Sequence, residues 1–528
     1  MNRTALPTRV VVIGLDGVGL DLIWPWVEEG LLPNLRRLIS SGTYGELRST
    51  IPPISAPAWV SLVTGKTPGQ HGIIDFTTRN GEVVNSTLVR DQKIWQILSK
   101  HGRSCCIVNV PVTYPPEPVN GCMVSAFPMP PGRRDYAYPS SIVPILDRNN
   151  YEVDLFLKER GRPRSLEAFD AEVAEASAKR LQLLGEIRVT AERRYKTIID
   201  LLRLRSWDFI FVVFTETDVI QHFFWEQKDV LLSFLQQVDS YVGRIVDEFE
   251  RSAPAGGSDD YVVIVSDHGF GEGKNEAFNV GSWLNRQRDT SRQERIVESV
   301  LDLLRRLLPR ILLPSIRGWA ERLKVPPSWL RPLFVATYYG IYIDRERLGS
   351  RAEYEGLREK LVAGLRDIRN PTTLAKVFQG VWRREDLYAG RSIQMLPDII
   401  YMTNPNYIAT AWNSRDLWIE KAMNLSGSHF SFPQGMIVFS GKTVKKHFRV
   451  SEATVYDVTP TILHMFGLPI PRSMDGKLLR GIFDSSTEPY ERPVAIADDE
   501  ELGSGEAYPY TPDDEEKIRS RLGTLGYL

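Results

Sequence analysis

Residues 10–17 read VVVIGLDG, a short apolar run that ends abruptly in the acidic residue Asp16. Two further runs have the same form, FIFVVF at 209–214 and YVVIV at 261–265. Short β-branched runs that stop at polar residues are typical of buried parallel strands. Helical periodicity lies between them, for example at 171–202. The alternation predicts an α/β fold, a three-layer α/β/α core in which helices cover both faces of a mostly parallel sheet.

The composition is that of an ordinary globular protein of enzyme size. Of 528 residues, 42% are hydrophobic, and 65 basic against 66 acidic residues leave a formal net charge of −1. This balance gives no electrostatic reason to expect a nucleic-acid polymer as partner. The cysteines, Cys105, Cys106 and Cys122, match neither a disulfide framework nor a zinc motif. Because no apolar stretch approaches the ~18 residues of a membrane span, we expect a cytoplasmic protein.

We expect a core assembled from both ends of the chain. We expect one core part at 1–284, an inserted cap or substrate region at 285–397, and a second core part with a C-terminal tail at 398–528. The tail ends in EEKIRSRLGTLGYL, an amphipathic helical pattern that we expect to dock. At 285–333, eleven Lys/Arg stand against five Asp/Glu, and leucines recur at helical spacing. This basic segment is either an amphipathic cap packed on the core or a surface helix for a membrane or an anionic partner.

Acidic and histidine side chains directly follow two of the predicted strands. Asp16 follows the first strand, whereas Asp267, His268 and Gly269 come just after the run at 261–265. The carboxyl ends of parallel strands border the crevice in which such sheets bind ligands. An Asp–Gly turn and a hydrogen-bonded Asp–His pair are the structural alternatives for these residues.

A helix start is predicted beside Ser55 in the segment PPISAPAWVSLVTGK. Pro57 suits a first helical position and Gly65 suits a helix end, so Ser55 is expected just before the helix. The N–H groups and dipole of a helix amino terminus stabilise anions, phosphate included. Ser55 is therefore either a helix cap or a nucleophile beneath a bound phosphate, which would need its pKa lowered.

Two further segments add residue types that bind metals. Asp218 and His222 are four residues apart, so a helix there would present both on one face. His429 lies in the stretch NLSGSHF, before another predicted strand. Taken singly, these residues have structural alternatives: a chance spacing for Asp218 and His222, and a solvated loop histidine for His429. Together, three Asp and three His form a mixed N/O donor set suited to Zn²⁺ or Mn²⁺. Two such ions about 4 Å apart would hold both oxygens of an in-line phosphoryl displacement.

Several ordered motifs run through nearly the whole chain. They are GLDGVGLDLI, ISAPAWVSLVTGKTPGQHGIIDF, VNVPVTYPPEPVNG, TETDVIQHFFW, VSDHGFG, GIYIDRE, LPDII, SGSH and DVTPTILHMFGLPIPRSMDGKLL. In these motifs the sequence resembles the type I phosphodiesterase/nucleotide pyrophosphatase family of the alkaline phosphatase superfamily, and the match is closest to prokaryotic soluble members. The resemblance implies an alkaline-phosphatase-like core with an inserted cap and a small phosphate ester or nucleotide-like substrate. It also implies two divalent metal ions, Zn²⁺ with Mn²⁺ as the alternative.

The resemblance further implies a role for each matching residue. Six residues match the family's metal ligands in two sites: Asp16, Asp267 and His268 in one, and Asp218, His222 and His429 in the other. Ser55 falls where the family has its Thr or Ser nucleophile, and its oxygen would also bind the first metal. The family mechanism therefore implies attack by Ser55 on phosphorus, followed by hydrolysis of a covalent phospho-enzyme.

Two positions depart from patterns in the superfamily. Phe76 stands where many nucleotide pyrophosphatases have an Asn that holds a phosphate oxygen. Backbone N–H groups at the helix start, Ala56 among them, are the alternative donors. Trp59 stands where a sulfatase needs Arg, which argues against a sulfatase. The sequence also reveals no counterpart of the arginine with which alkaline phosphatases hold phosphate.

Further substrate contacts are predicted at Asn109, Tyr114, Lys274 and Asn275, with packing or solvation as the structural alternatives. The expected function is that of a metal-dependent phosphoryl hydrolase, similar to phosphodiesterases and nucleotide pyrophosphatases. One alternative is a phosphotransferase or phosphomutase of the same superfamily. Another is a non-catalytic protein that binds anionic membranes or a partner through the basic segment. The sequence does not indicate an oligomeric state.

Overall fold

The computed structural model describes residues 6–153, 166–273, 276–287, 333–411, 416–420, 425–499 and 510–524. Most of the basic segment at 285–333 lies outside these residues, and so do Lys274 and Asn275. Both interpretations of the basic segment therefore stay open, and the two substrate contacts stay predictions.

Strands and helices alternate along the first half of the chain. In the described residues the strands are β1 Thr8–Leu15, β2 Thr43–Arg48, β3 Cys105–Val108, β4 Gly121–Val124, β5 Ala137–Tyr138, β6 Phe209–Phe214, β7 Asp259–Val265, β8 Gly271–Glu272, β9 Glu276–Asn279, β10 Phe334–Ala336, β11 Gly340–Ile343, β12 Phe378–Arg383, β13 Ile399–Thr403, β14 Ile408–Thr410, β15 Trp418–Glu420, β16 Gly427–Ser428, β17 Gln434–Gly441, β18 Phe448–Thr454, β19 Ile470–Pro471 and β20 Ile496–Ala497. The α-helices are α1 Leu20–Glu28, α2 Pro33–Ser41, α3 Ser55–Thr64, α4 Pro68–His71, α5 Ile94–Lys100, α6 Val143–Arg148, α7 Leu166–Leu202, α8 Glu216–Phe224, α9 Lys228–Arg251, α10 Val280–Gln287, α11 Arg351–Arg366, α12 Arg384–Leu387, α13 Val458–Met465, α14 Glu488–Glu491 and α15 Pro512–Thr524. None of these described helices is both long enough and apolar enough to cross a membrane.

Nine strands form the central sheet, in the order β18-β2-β17-β7-β1-β6-β3-β4-β5. β1 pairs in parallel with β6 and β7, and β3 pairs in parallel with β4 and β6. β17 runs antiparallel to both of its neighbours, and β5 runs antiparallel to β4. The sheet is therefore mixed but mostly parallel, which confirms the predicted α/β class.

The middle of this sheet is buried because its strands are apolar on both faces. Every residue of β6 is buried, and so is every residue of β1 after Thr8. A strand covered on both faces needs no alternation of polar and apolar residues, which is why its sequence is a continuous apolar run. In register, Leu15 pairs with Phe214, and Gly14 pairs with Val265. The three strands β7, β1 and β6 thus end together, and the residues that follow them meet at one edge.

The chain divides into two compact units. The first comprises Met1–Gly273, Ala389–Ile393 and Leu425–Leu528, and it contains the nine-stranded sheet. The second comprises Lys274–Tyr388 and Gln394–Asn424. It contains the antiparallel sheet β10-β11-β13-β12 and an apolar core of its own. The boundaries and the substrate role of the expected inserted cap stay predictions.

Close packing at the end of β1 makes Gly14 a test of this core. A Cβ added at Gly14 would lie 2.5 Å from Trp59 Cη2 and 2.9 Å from a methyl carbon of Val213, both in buried side chains. We expect Gly14→Ala to lower the free energy of unfolding by about 1–3 kcal/mol, because overpacking forces these side chains to shift. The measurement is the melting temperature of the purified protein.

The matched control is Gly185→Ala in α7, where nothing lies within 4 Å of the added Cβ. Because Ala favours the helical state over Gly by roughly 1 kcal/mol, this variant should melt at or above the wild-type temperature. A Gly14→Ala protein that melts with the control would contradict the packing described here.

Candidate metal centre

The predicted acidic residues that follow the parallel strands lie next to one another. Asp16 follows β1, and Asp267 and His268 follow β7, its neighbour in the sheet. All three side chains are at least 96% buried. His268 Nε2 lies 3.2 Å from Asp267 Oδ2 and 3.7 Å from Asp16 Oδ1. The backbone N–H of Gly17 donates to Asp267 Oδ1 (3.2 Å), so the turn after β1 also orients the carboxylate that follows β7.

Helix α8 begins just after β6 and carries the predicted pair Asp218 and His222. The two residues lie one helical turn apart, with Asp218 Oδ2 3.4 Å from His222 Nε2. At the start of the helix, buried Glu216 pairs with buried Arg194, whose Nη2 lies 2.8 Å from Glu216 Oε1. This ion pair holds the first turn of α8, the turn that contains Asp218.

His429 lies in the turn between β16 and β17 and joins the same cluster. Its ring stacks on that of His268 with centroids 4.1 Å apart, and it meets the His222 ring edge-on at 5.3 Å. All three imidazoles are completely buried. The structure therefore brings together all six residues that the sequence predicts as metal ligands.

Backbone carbonyls fix the tautomer of each histidine. The Nδ1 atom of His222 lies 3.1 Å from Gly427 O, that of His268 lies 3.0 Å from Gly269 O, and that of His429 lies 2.8 Å from Pro53 O. A carbonyl oxygen only accepts, so Nδ1–H is the donor in each case. The neutral ring then presents Nε2 as its lone-pair nitrogen, the arrangement that orients histidines toward metals.

Two groups of donor atoms are close enough to hold a metal ion. In one, a ligand atom from each of Asp16, Asp267 and His268 lies within 4.8 Å of the others. In the second, the same holds for Asp218, His268 and His429. His268 belongs to both groups, so the two lie side by side. Carboxylate oxygens with imidazole nitrogens suit Zn²⁺ and also Mn²⁺, so this donor set fits the predicted ions. The assignment of each ligand to one metal stays a prediction.

Burial of this many charges shifts their pKa values in a consistent pattern. The pKa of Asp16 is raised, first by burial and then by the charges of Asp267 and Asp218. Burial also raises the pKa of Asp267 to about 7 and lowers that of His268 to about 4. The pKa of His429 is lowered by burial and by the charge of His268. A bound cation would oppose the first effect, because it favours ionised carboxylates, and would reinforce the second, because it favours neutral imidazoles.

Ser55 lies against the first of these groups. Its Oγ is 3.1 Å from His268 Nε2 and 3.4 Å from Asp16 Oδ1. The expectation that Ser55 would precede the helix is slightly wrong, since Ser55 is the first residue of α3 and no side chain caps that end. Because Ser55 does not cap this helix end, the nucleophile interpretation is favoured over the capping interpretation.

Sequence reasoning missed the structural role of Trp59. Its Nε1–H donates to Asp16 Oδ2 (3.1 Å). The indole is completely buried, so it anchors the carboxylate from the protein side. Its spacing of four residues from Ser55 was the available signal, because it places both residues on one face of α3.

Family comparison agrees with this geometry. The family model of the type I phosphodiesterase / nucleotide pyrophosphatase family matches residues 10–429, well over half of the chain. The chain belongs to this family. A comparison with curated protein sequences gives no match. The family assignment makes the protein a phosphoryl hydrolase of the alkaline phosphatase superfamily.

Solved structures of two enzymes have the same fold. The murine ectonucleotide pyrophosphatase/phosphodiesterase 5 superposes with a TM-score of 0.51 at 12% identity, covering 90% of this chain and 100% of that chain. An inactive form of that enzyme in complex with AMP gives the same score and identity, covering 90% and 98%. Phosphonoacetate hydrolase from Sinorhizobium meliloti, in complex with phosphonoformate, gives 0.50 at 15% identity, covering 88% and 96%.

The remaining predicted contacts lie deep in the protein. Asn109 is completely buried at the end of β3, and its Nδ2 donates to Val213 O (3.0 Å) and Thr215 Oγ1 (3.2 Å). Tyr114 is also buried, and its hydroxyl donates to Asp135 (2.9 Å). These contacts tie loops to the strand ends, whereas substrate contact by Asn109 and Tyr114 stays a prediction. Ala56 is buried in the first turn of α3, and its substrate contact also stays a prediction.

His71, the last residue of α4, provides a pH test away from the predicted ligands. The Ile73 N–H donates to Nδ1 (3.1 Å), so Nε2–H donates to Ser61 Oγ (2.9 Å). Burial lowers the pKa of His71 from 6.5 to about 3. Between these values the unfolded chain binds one more proton, so the stability that neutral His71 contributes is full above pH 6.5 and falls toward pH 3.

We therefore expect the stability advantage of wild type over His71→Gln to shrink by roughly 1.4 kcal/mol for each pH unit below 6.5. The measurement is the difference in unfolding free energy at pH 7 and pH 5. Glutamine retains an N–H donor for Ser61 without titrating in this range. An advantage that is the same at both values would show that His71 is not held neutral.

Proposed function

We propose that this protein hydrolyses small phosphodiesters or related nucleotide-like phosphate esters, with Ser55 as nucleophile and two divalent metal ions. The observation that carries the proposal is the position of Ser55 Oγ, 3.1 Å from His268 Nε2 and 3.4 Å from Asp16 Oδ1 at the start of a helix. Helix capping would explain a serine at a helix terminus, but it would not explain the metal-ligand cluster beside Ser55.

Six residues would hold the metals: Asp16, Asp267 and His268 with Ser55 at one site, and Asp218, His222 and His429 at the other. Bound divalent ions would supply Lewis acidity, lowering the pKa of the serine hydroxyl and neutralising charge on the phosphoryl oxygens. The carbonyl partners of the three histidines keep each Nε2 directed at the cluster. Trp59 keeps Asp16 in place through the other carboxylate oxygen.

Ser55 then performs the bond-forming step. Its Oγ loses the hydroxyl proton and forms a bond to phosphorus as the bond from phosphorus to the leaving oxygen breaks. That oxygen departs with the electron pair and takes up a proton. In the second step a water oxygen bonds to phosphorus, the bond to Ser55 Oγ breaks, and the serine recovers a proton. The N–H groups of the first turn of α3, including that of Ala56, would stabilise phosphoryl oxygens in both steps.

The family and the size of the ligands in related folds support the proposed substrate class. The murine enzyme is described in complex with AMP and the hydrolase from S. meliloti with phosphonoformate. Both ligands are small phosphoryl anions, which supports a small-molecule substrate. Transfer of the phosphoryl group to an acceptor other than water would use the same first step, and product analysis separates the two outcomes.

Replacement of the nucleophile tests the proposal. We expect Ser55→Ala to lower kcat for bis(4-nitrophenyl) phosphate by at least about a thousandfold, because the covalent step is removed. Metal content should stay near that of wild type, since the carboxylates and histidines remain. The assay compares this diester with 4-nitrophenyl phosphate, with metal content measured on the same samples.

Ser61→Ala is the matched control, because Ser61 lies on the same helix and contacts His71. It should keep near wild-type turnover. Full diester turnover by Ser55→Ala would rule out Ser55 as the nucleophile, and a strong preference for the monoester would move the protein to the phosphatase or mutase branch.

Metal content tests the ligand set independently. We expect about two divalent ions per chain in wild type and about one in Asp267→Ala, with turnover lost, because the two-metal arrangement needs both sites. The readout is elemental analysis by mass spectrometry alongside the diester assay. Asp247→Ala is the control, since Asp247 is an exposed residue of α9 whose carboxylate lies 3.7 Å from Arg37. Unchanged metal content and turnover in Asp267→Ala would overturn the two-metal assignment.

A further inference from the structure

The two carboxylate oxygens of Asp16 have different surroundings. Oδ1 faces the metal-ligand cluster, where it lies 3.4 Å from Ser55 Oγ and 3.7 Å from His268 Nε2. Oδ2 accepts the indole N–H of Trp59 at 3.1 Å. Both side chains, Asp16 and Trp59, are buried. One oxygen is therefore directed at the predicted ligands and nucleophile, whereas the other is held by the protein.

The indole of Trp59 is packed on the strands that carry the site. Gly14 precedes Asp16 by two residues in the chain, so it lies on the same face of β1. A Cβ added at Gly14 would be 2.5 Å from Trp59 Cη2, which shows how closely the indole approaches the strand. The ring of Phe211, in β6, meets the indole edge-on with centroids 6.1 Å apart. This packing keeps the indole N–H directed at Asp16.

Helix α3 contacts both oxygens of Asp16 from one face. Ser55 and Trp59 are four residues apart in this helix, which is about one turn. The same turn of α3 thus sets both the orientation of the carboxylate and its distance from Ser55 Oγ. Without the bond to Trp59, the carboxylate could rotate about its Cβ–Cγ bond and present both oxygens to the cluster.

We propose that Trp59 reserves Asp16 Oδ2, so that Asp16 offers a metal ion one oxygen, Oδ1, and its site favours Zn²⁺ over Mn²⁺. The inference rests on the proposed function for the presence of the ions. Zn²⁺ in proteins is usually four-coordinate, so a few donors at fixed positions suit it. Mn²⁺ is typical of octahedral, oxygen-rich sites, for which a carboxylate with two available oxygens supplies more donors. Trp59 thus contributes to the choice of ion as well as to the position of Asp16.

The test is titration calorimetry of the full-length protein, freed of metal by a chelator, with Zn²⁺ and separately with Mn²⁺. We expect Trp59→Phe to weaken binding of one of the two Zn²⁺ ions by about 10- to 100-fold, the range for lost partners of metal ligands. Mn²⁺ affinity at that site should fall less, because the released carboxylate can supply both oxygens. A general loosening of the fold would lower both affinities alike, so their ratio is the decisive quantity.

A second variant separates the N–H group from the packing of the ring. Incorporation of benzothienylalanine at position 59 keeps a bicyclic side chain against Gly14 and Phe211 but provides no N–H donor. It should show the same ion-specific loss as Trp59→Phe. If Trp59→Phe does not fold, the comparison of wild type with this variant decides.

Trp95→Phe is the matched control. Trp95 is also completely buried, in α5, and its Nε1–H donates to a carboxylate oxygen, Glu117 Oε2, at 3.5 Å. The change removes the same ring and the same kind of hydrogen bond, but Glu117 is not one of the predicted metal ligands. We expect this variant to bind both ions as wild type does. The melting temperature of each variant shows how much the loss of the ring costs the fold.

Each outcome supports or overturns the inference. Zn²⁺ affinity that is the same in wild type and both position-59 variants overturns it, even when diester turnover is intact and the proposed function stands. An equal loss of Zn²⁺ and Mn²⁺ affinity also overturns it, because Trp59 would then only support the fold. A selective loss of Zn²⁺ affinity, in a protein whose wild type hydrolyses no ester, supports the inference and contradicts the proposed function. A wild type that binds neither ion overturns both.

Discussion

Three carboxylates buried in one crevice are the constraint around which the first unit of this protein is organised. Asp16, Asp218 and Asp267 come from different parts of the chain and lie together without solvent to screen them. Burial raises the pKa of both Asp16 and Asp267, and the charges of Asp267 and Asp218 raise that of Asp16 further. Like charges at this depth are stable in ionised form only when a cation lies between them. The donor set, the three neutral imidazoles and the nearby serine are all consistent with a site formed to hold such cations.

The parallel sheet makes this crowding possible. Adjacent strands that run in the same direction end at the same edge, so residues distant in sequence reach one crevice without long loops. β7, β1 and β6 place two of the acidic residues at their ends and start α8 beside them. The α/β topology therefore determines where the functional residues lie, while the chemistry depends on which residues stand at the strand ends.

The sequence predicts the position of a site residue when a strand or helix determines that position, and it does not when a loop does. Asp16 and Asp267 follow apolar runs, and Asp218 and His222 have helical spacing, so their places followed from periodicity alone. The partners of the histidines did not, because Pro53 O, Gly269 O and Gly427 O are backbone atoms whose position depends on the path of loops. The same reason hid the position of α15. Its amphipathic pattern predicted docking but not the surface on which it docks.

The balance of charge links the proposed metals to the substrate. Three carboxylates bring three negative charges, and the two proposed divalent ions would bring four positive ones, so the cluster with its neutral histidines would have a charge near +1. A phosphodiester, which is a monoanion, would then bring the buried site close to neutrality, whereas a phosphoryl dianion would leave one negative charge uncompensated in a low dielectric. The electrostatics of the proposed site thus favour the diester of the proposed function over a monoester.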